Sequence, residues 1–252
     1  MKIKETAKVI SQEKIATDIY SMWIDTSIAK EAKPGQFISV YTKNDAKLLP
    51  RPISICEINA DENKLRIVYR CVGYGTKEFS SYKENDEVIV LGPLGNGFPL
   101  FDEKAILIGG GIGIPPMLQL AKSLNCDKDI VVGYRDELFL NDELEKYGKV
   151  TIATEDGSAG TKGNVIDAIK ENGIKGKVIY ACGPIPMLRG IKAYAIENNI
   201  TAYISMEERM ACGVGACLGC VCKSKDVDDH SKVNNKRVCA DGPVFNALDV
   251  DI

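Results

Sequence analysis

The sequence of 252 residues has no long apolar run and no strong excess of charge of either sign. Its longest uncharged apolar stretch, from Ala105 to Leu118, is too short to span a bilayer and is interrupted by glycine and proline. The formal net charge of −3 gives no excess of positive charge that would attract nucleic acid or an anionic membrane surface. The first residues, MKIKETAKVISQEK, lack the apolar segment of a signal peptide. We therefore expect a cytoplasmic protein with neither a nucleic-acid partner nor a membrane partner.

Histidine is scarce, whereas cysteine is abundant. His230 is the single histidine, which excludes a Rieske centre because that centre needs two histidine ligands. The chain has nine cysteines, and a reducing compartment disfavours a disulfide framework for them. Cys56, Cys71 and Cys126 are dispersed among apolar or strand-like residues and are predicted to be small buried hydrophobes. The other six cysteines need a different explanation.

The order of predicted elements divides the chain into three parts. Short strands separated by turn signals fill residues 3–92, with one short helix after Gly75, which is typical of a barrel or sandwich. The stretch from Gly92 to Glu103, rich in glycine and proline, looks like a linker. Strands then alternate with helices, which predicts a doubly wound parallel sheet. We expect an α+β multidomain protein with an antiparallel β-barrel (1–99), an α/β nucleotide-binding domain (100–206) and a small cysteine-rich lobe (207–252).

Four cysteines of the last part have the spacing C-x4-C-x2-C followed by one more cysteine after eighteen residues: Cys212, Cys217, Cys220 and Cys239. This is the ligand spacing of a plant-type [2Fe–2S] cluster. The glycines between them, Gly213, Gly215 and Gly219, suit a loop that needs positive φ angles and close approach of backbone amides to sulfur. A structural zinc site is the alternative, although zinc sites usually pair two cysteine knuckles. Cys222 is an extra thiol, for which we expect burial beside the cluster.

Two glycine-containing turns in the second part point to a nucleotide. Gly110, Gly111 and Gly113 follow a predicted strand and precede a helix, as in the start of a dinucleotide fingerprint, although the third fingerprint glycine is replaced by Pro116. Cys182, Gly183 and Pro184 form a second such turn. In a doubly wound sheet, both turns converge on one crevice. Cys182 is a candidate catalytic residue that faces a nicotinamide there, or simply a small buried residue at a strand end.

The residues after the second strand of this part give conflicting signals about the cofactor. An acid there favours the free ribose hydroxyl of NAD, and an arginine favours the phosphate of NADP. The sequence places Arg135, Asp136 and Glu137 together. It therefore favours NAD only modestly.

A flavin is required if both predicted sites are real. A nicotinamide carries two electrons as a hydride, whereas a [2Fe–2S] cluster carries one, so a third carrier must connect them. The first part should then bind FAD or FMN. Arg51 on an extended, proline-flanked strand and the Gly-x-Gly-Thr turn from Gly73 to Thr76 are candidates, although each is equally compatible with a surface ion pair or an ordinary turn.

Taken together, Arg51 to Ser54, Gly75-Thr76, Gly111 to Gly113, Cys182 to Pro184 and the C-terminal cysteine motif resemble the ferredoxin–NADP reductase superfamily. The segments ERMACGVGACLGC and RVCADGPVF make the whole chain similar to the electron-transfer subunits of type 1B dihydroorotate dehydrogenases. This resemblance implies one FAD on the barrel, one [2Fe–2S] cluster on the four cysteines and NAD as substrate. The FAD contacts that it implies are Arg51, Pro52, Ile53, Ser54, Val68, Tyr69, Arg70, Gly75 and Thr76.

The resemblance also implies a partner. It would be an FMN-containing catalytic subunit that oxidises dihydroorotate to orotate in pyrimidine biosynthesis, in a heterotetramer with two subunits of each kind. Electrons would pass from FMN through the cluster and FAD to NAD+. The alternatives are an NAD(P)-binding flavin and iron–sulfur subunit of a hydrogenase or of a ferredoxin-dependent transhydrogenase and, in a different class, a zinc-stabilised binding module without catalytic function.

Overall fold

The computed structural model describes residues 2–44, 46–229 and 232–252. His230, on which the exclusion of a Rieske centre depends, lies outside the described residues. Six antiparallel strands close into a barrel in the order β1-β2-β5-β4-β3-β6. They are β1 (Ile3–Ala16), β2 (Ile19–Asp25), β3 (Phe37–Val40), β4 (Arg51–Asn59), β5 (Lys64–Arg70) and β6 (Glu87–Leu94). A short helix, α1 (Tyr74–Phe79), follows β5. The predicted barrel is confirmed.

A seven-stranded sheet forms the second part, in the order β10-β9-β8-β7-β11-β12-β15. Its strands are β7 (Ala105–Gly110), β8 (Lys128–Tyr134), β9 (Lys149–Thr154), β10 (Thr161–Lys162), β11 (Val178–Cys182), β12 (Thr201–Ser205) and β15 (Val244–Asn246). All pairs are parallel except β12–β15. The helices are α2 (Pro115–Ser123), α3 (Asn141–Leu144), α4 (Val165–Glu171) and α5 (Ile185–Glu197). The predicted alternation of strands and helices is confirmed.

Alternate residues of the central strands pack into separate apolar clusters on the two faces of this sheet. On β7, Ile106 and Ile108 pack with residues of α4 and α5, whereas Ala105 and Leu107 pack with residues of α2. Such burial on both faces is typical of a parallel sheet covered by helices. No helix in the described ranges is long and apolar enough to cross a bilayer.

Three short strands complete the fold: β13 (Val221–Ser224), β14 (Asn235–Arg237) and β16 (Val250–Asp251) form a sheet of their own. Between β14 and β16 the chain returns to the large sheet as β15, which pairs with β12 from Tyr203–Asn246 to Ser205–Val244. The predicted lobe range 207–252 therefore contributes one strand to the sheet of the preceding range.

The predicted linker from Gly92 to Glu103 is wrong for most of its length. Strand β6 continues through Gly92 to Leu94. The Asn96 side chain then donates to the Val244 carbonyl at 2.9 Å and accepts the Val244 N–H at 3.0 Å. Phe98 is buried and packs edge-on against Tyr180, with ring centroids 5.6 Å apart. This segment is a packed junction of all three parts, because its side chains are anchored in each neighbour.

Candidate functional site

The four predicted cluster ligands lie together in two pairs. The Sγ atoms of Cys212 and Cys217 are 3.3 Å apart. The backbone N–H of Cys239 donates to Sγ of Cys220 at 3.4 Å. Among the described residues, no group of three His, Cys, Asp or Glu side chains converges on a single ion position. Two pairs of thiols suit a dinuclear cluster, in which each iron takes two protein ligands.

Backbone amides surround the first of these ligands. Burial alone would raise the pKa of Cys212, but the N–H groups of Cys217, Val214 and Ala216 and the thiol of Cys217 lower that pKa to about 6. A thiol that ionises at neutral pH is a better metal ligand, because the thiolate is the form that binds. The loop therefore favours the ligating form of Cys212.

The glycines of the loop have different roles. Gly213 and Gly215 have φ angles of +67° and +87°, as predicted, so an L side chain would strain the backbone at either position. The expectation of a positive φ at Gly219 is wrong. A Cβ atom at Gly219 would lie 3.5 Å from Sγ of Cys217, which is an ordinary contact. Cys222 is buried on β13, as predicted.

The cluster loop rests directly on the barrel. A Cβ atom at Gly213 would lie 3.0 Å from Oγ of Ser39 on β3 and 3.5 Å from Cδ1 of Leu94 on β6. Nζ of Lys2 donates to the carbonyl of Val214 at 3.3 Å. The loop between the first two cysteines is thus seated against the strands β3 and β6.

The ladder between β4 and β5 opens at the end that carries the predicted flavin contacts. The two strands pair from Asn59–Lys64 to Ile55–Ile67. Beyond this point, the range 51–54 pairs with β3 and the range 68–70 pairs with β2. An opening between two adjacent strands leaves backbone groups on both sides able to bind a ligand. Both predicted stretches line this opening.

The side chains at the opening differ in what they offer. Arg51 lies over Gly75, where a Cβ atom would be 2.2 Å from the arginine Nε, so only glycine permits this arrangement. Tyr69 is buried in the barrel and its hydroxyl donates to Gln12 at 2.8 Å, which leaves only its backbone for a ligand. The hydroxyl of Thr76 accepts the N–H of Gly73 at 3.2 Å, so it stabilises its own turn.

Of the remaining predicted flavin contacts, Ile53 and Val68 are buried, Arg70 is exposed, and Pro52 and Ser54 are intermediate. Val68 packs in the same apolar cluster as residues of α2. Arg51, Arg70 and the Gly75 turn are the groups at this opening best suited to a negatively charged cofactor.

The two glycine turns of the large sheet meet, as predicted. A Cβ atom at Gly113 would lie 2.3 Å from the carbonyl oxygen of Cys182 and 2.7 Å from the nitrogen of Gly183. Likewise, a Cβ atom at Gly183 would lie 3.2 Å from Cα of Gly110. At Gly111, with φ +52°, an added Cβ would meet no described atom within 4 Å, so the crevice opens at this residue. Pro184 caps α5 at the same edge.

Cys182 ends β11 beside this crevice. Burial raises the pKa of its thiol to about 12, although a hydrogen bond with Ser205 opposes the shift. The raised pKa favours the protonated thiol near neutral pH, which disfavours a thiolate nucleophile and is compatible with packing against a ligand ring. Its catalytic role stays a prediction.

The carboxylate of Glu137, which follows Asp136, accepts a hydrogen bond from the barrel. The Glu137 carboxylate accepts the backbone N–H of Thr17, in the turn between β1 and β2, at 2.8 Å. Arg135 and Asp136 are exposed at the end of β8. Oδ1 of Asp136 accepts the backbone N–H of Glu137 at 2.8 Å. Of the two acids that sequence reasoning left open, Glu137 therefore joins the two large parts of the molecule, whereas the hydrogen bond of Asp136 stays within its own turn.

An ion network between the barrel and the nucleotide domain has no signal in the sequence, because its members are far apart along the chain. Arg66 on β5 is 5% exposed. Its guanidinium donates to both carboxylate oxygens of Glu143 on α3 and, at 2.9 Å, to Oγ of Ser21. Glu57 lies 3.6 Å away. The network fixes the helix α3 against the barrel wall.

Comparison with known proteins agrees with this arrangement. Residues 207–251 match the family model described as the iron–sulfur cluster binding domain of dihydroorotate dehydrogenase B, and residues 107–193 match the oxidoreductase NAD-binding domain. The chain is 44% identical to the electron transfer subunit of dihydroorotate dehydrogenase B (NAD+) of Fusobacterium nucleatum subsp. nucleatum, over 100% of both chains. It is 41% identical to the same subunit of Lysinibacillus sphaericus, over 96% of both.

Solved structures share the fold. The structure of an NADH-dependent reduced ferredoxin–NADP oxidoreductase, studied for flavin-based electron bifurcation, superposes with a TM-score of 0.88 at 29% identity, covering 97% of this chain and 89% of that one. A ferredoxin–NADP+ reductase from Neisseria gonorrhoeae with bound FAD and NADP superposes with a TM-score of 0.64 at 15% identity, over 77% of this chain and 91% of that one.

A closed barrel, a match to an NAD-binding domain and a match to an iron–sulfur cluster binding domain thus follow one another along the chain, in the order that the sequence predicts. The zinc alternative does not account for the match of the cysteine segment to an iron–sulfur domain. With more than 40% identity to these relatives over nearly the whole chain, the protein belongs to the family of electron-transfer subunits of NAD+-dependent dihydroorotate dehydrogenase B.

Proposed function

We propose that the chain holds one FAD at the open end of β4 and β5, one [2Fe–2S] cluster on Cys212, Cys217, Cys220 and Cys239, and NAD at the paired glycine turns. With these groups bound, the flavin would supply the exchange between two single electrons of the cluster, together with one proton, and the hydride carried by NADH. The domain boundaries at 99/100 and 206/207 belong to the same proposal. The cytoplasmic location stays a prediction.

The position of the β4–β5 opening carries the proposal. On one side, β3 pairs with the Arg51–Ser54 end of β4 and also carries Ser39, against which Gly213 of the cluster loop packs. On the other side, β5 contacts the turn Gly111–Gly113 of the nucleotide crevice. A ligand in the opening would therefore lie between the cluster and the nicotinamide, which is the place that an intermediate electron carrier needs.

The residues of the chain have defined tasks in this arrangement. Arg51 and Arg70 would bind the anionic part of FAD, because guanidinium groups form strong hydrogen bonds with phosphate. The glycine turns would bring backbone N–H groups close to the dinucleotide phosphates. The side chain of Phe98 packs in one apolar cluster with Val68 of the barrel and Tyr180 of the nucleotide sheet.

The structure also supports a preference for NAD. A carboxylate at the end of the second strand of a dinucleotide-binding unit accepts hydrogen bonds from a free ribose hydroxyl and repels a ribose phosphate. Asp136 is the acid proposed for this, through the carboxylate oxygen that does not accept the N–H of Glu137, since Glu137 itself is held by Thr17 of the barrel. We assign the discrimination against NADP to Asp136.

The partner in the proposal is an FMN-containing catalytic subunit, with two subunits of each kind in a heterotetramer. Val214 and Leu218 of the cluster loop are exposed apolar residues, with 36% and 48% of their surface accessible. Such residues next to a redox centre suit a protein contact. We place the subunit contact near the range 212–220.

Replacing Cys217 by serine tests the proposal. NADH-driven dye reduction should remain in part, because the hydride reaches FAD without iron, whereas dihydroorotate-dependent NAD+ reduction by the assembled enzyme should collapse. Cys222→Ser is the matched control, because it removes a buried thiol of the same segment that is not a proposed ligand, and both activities should persist. Equal loss of both activities in Cys217→Ser would mean that the cluster is chiefly structural.

The alternative, a subunit of a ferredoxin-dependent transhydrogenase, has one observation in its favour, namely the structural similarity to the bifurcating oxidoreductase. The identity to that protein is 29%, against 44% to the Fusobacterium subunit. Purification of the native complex distinguishes the two functions. An FMN protein as partner supports the first, and a subunit with several clusters supports the second.

A further inference from the structure

The loop between the first two cluster cysteines is held from outside by one arginine. Arg237 on β14 precedes Cys239 by two residues, and its Nη1 donates to the carbonyl of Gly215 at 3.1 Å. Gly215 lies between Cys212 and Cys217. The Arg237 side chain is 17% exposed, so it is largely enclosed by the lobe. It connects the ligand loop to the strand that leads to the fourth ligand.

A carboxylate fixes the orientation of this arginine. Nε and Nη2 of Arg237 donate to the two carboxylate oxygens of Asp241, each at 3.1 Å. The backbone N–H of Arg237 donates to the same carboxylate at 2.7 Å. A fork of two parallel hydrogen bonds holds the guanidinium plane in one orientation. The remaining donor, Nη1, is thereby directed at Gly215.

Gly215 transmits this contact to the ligands. Its carbonyl accepts from Arg237, and it lies two residues before Cys217, whose backbone N–H donates to Sγ of Cys212 at 3.4 Å. Its φ is +87°, and an added Cβ would lie 2.7 Å from Cβ of Ala240. A shift of Gly215 would therefore change the hydrogen bond that Cys217 donates to the sulfur of Cys212.

We propose that Arg237 is a positioning residue for the iron–sulfur centre, which keeps the loop amide of Cys217 directed at the sulfur of Cys212 and thereby raises the reduction potential of the cluster. Hydrogen bonds to the sulfurs stabilise the more negative, reduced form, and they are one of the terms that set the potential. The inference rests on the proposed function, since it requires the cluster.

The experiment is a reduction titration of the purified complex followed by EPR, with Arg237→Gln as the main variant. Lys236→Gln is the matched control, because it removes the same charge from the adjacent position of β14 and leaves the contact to Gly215 in place. Arg237→Gln should lower the midpoint potential and alter the EPR line shape. Arg237→Lys, which can donate to Gly215 or to Asp241 but not in the same fork, should shift the potential less, and Lys236→Gln should match the unaltered protein.

Arg237→Lys and one further variant, Asp241→Asn, are used if the Arg237→Gln protein loses its iron. Arg237→Lys and Asp241→Asn both retain part of the contact, and a lowered potential in either supports the assignment. An unchanged potential and line shape in every iron-containing Arg237 and Asp241 variant overturns it, and so does an equal shift in Lys236→Gln. Absence of iron from the unaltered protein would contradict the proposed function itself, and this is seen before any variant is compared.

Discussion

Gly113 allows a sharp test of the nucleotide crevice, because an added methyl group has a defined effect there. In Gly113→Ala, the Cβ would lie 2.3 Å from the carbonyl oxygen and 2.5 Å from the carbonyl carbon of Cys182. Both are backbone atoms, so relief requires that the two turns move apart rather than that a side chain rotates. The φ of Gly113 is not in the left-handed region, so the effect is steric and not a consequence of backbone strain.

The size of the effect follows from the cost of overpacking. Inserting a methylene into a tightly packed site costs about 1–3 kcal/mol. If the separation of the turns appears as lost affinity, the dissociation constant for NADH rises roughly 5- to 150-fold, since about 1.4 kcal/mol corresponds to a factor of ten. We expect this as a raised KM for NADH in dye reduction and as a raised Kd in direct titration.

Gly190→Ala is the control for this variant. Gly190 lies within α5, and an added Cβ would find its nearest neighbour, Cγ1 of Ile166, at 3.9 Å. This substitution should leave NADH binding unchanged and stabilise the helix by about 1 kcal/mol. Gly113→Ala protein that retains its flavin absorbance and its melting temperature but binds NADH as tightly as the unaltered protein would refute the position of the crevice.

Three further substitutions test other parts of the account. Gly75→Ala should displace Arg51 and weaken FAD binding about tenfold, the equivalent of about 1.4 kcal/mol, and full retention of FAD after gel filtration at low concentration would contradict this. Glu143→Gln should weaken the pairing of Arg66 by about 2 kcal/mol and lower the melting temperature by about 4–8 °C, and an unchanged melting temperature would show that the network does not hold the two domains. Asp136→Ala should reduce the ratio of kcat/KM for NADH over NADPH roughly tenfold, the effect of about 1.4 kcal/mol, and an unchanged ratio would remove Asp136 from cofactor selection.

Much of the fold follows from local pattern in the sequence. Asn164 marks the start of α4 by its side-chain cap, and Pro184 with Pro186 of the first turn marks the start of α5, because caps and early prolines are local signals. The helix expected near Asn141 is present but spans only four residues, Asn141–Leu144. The linker predicted from Gly92 to Glu103 is wrong for a related reason. Its glycines allow close packing against residues that are distant in sequence, and they do not make the segment flexible.

Site residues could be predicted from the sequence only where the ligands lie close together along the chain. The first three cluster cysteines lie within nine residues, so their spacing carries the information. The contact of Gly213 with Ser39 and the pairing of Arg66 with Glu143 join residues that are far apart in sequence, and each residue type alone is unremarkable there. Which acid remains available at the end of β8 likewise depended on the position of Thr17 in another domain.

The most direct test of the central claim is the absorption and EPR spectrum of the anaerobically purified protein, combined with metal analysis. The account predicts flavin absorbance at about one flavin per chain, about two irons per chain and a paramagnetic signal after reduction, as expected for one [2Fe–2S] cluster. A protein without flavin, a reduced protein without an EPR signal, or stoichiometric zinc in place of iron would contradict it.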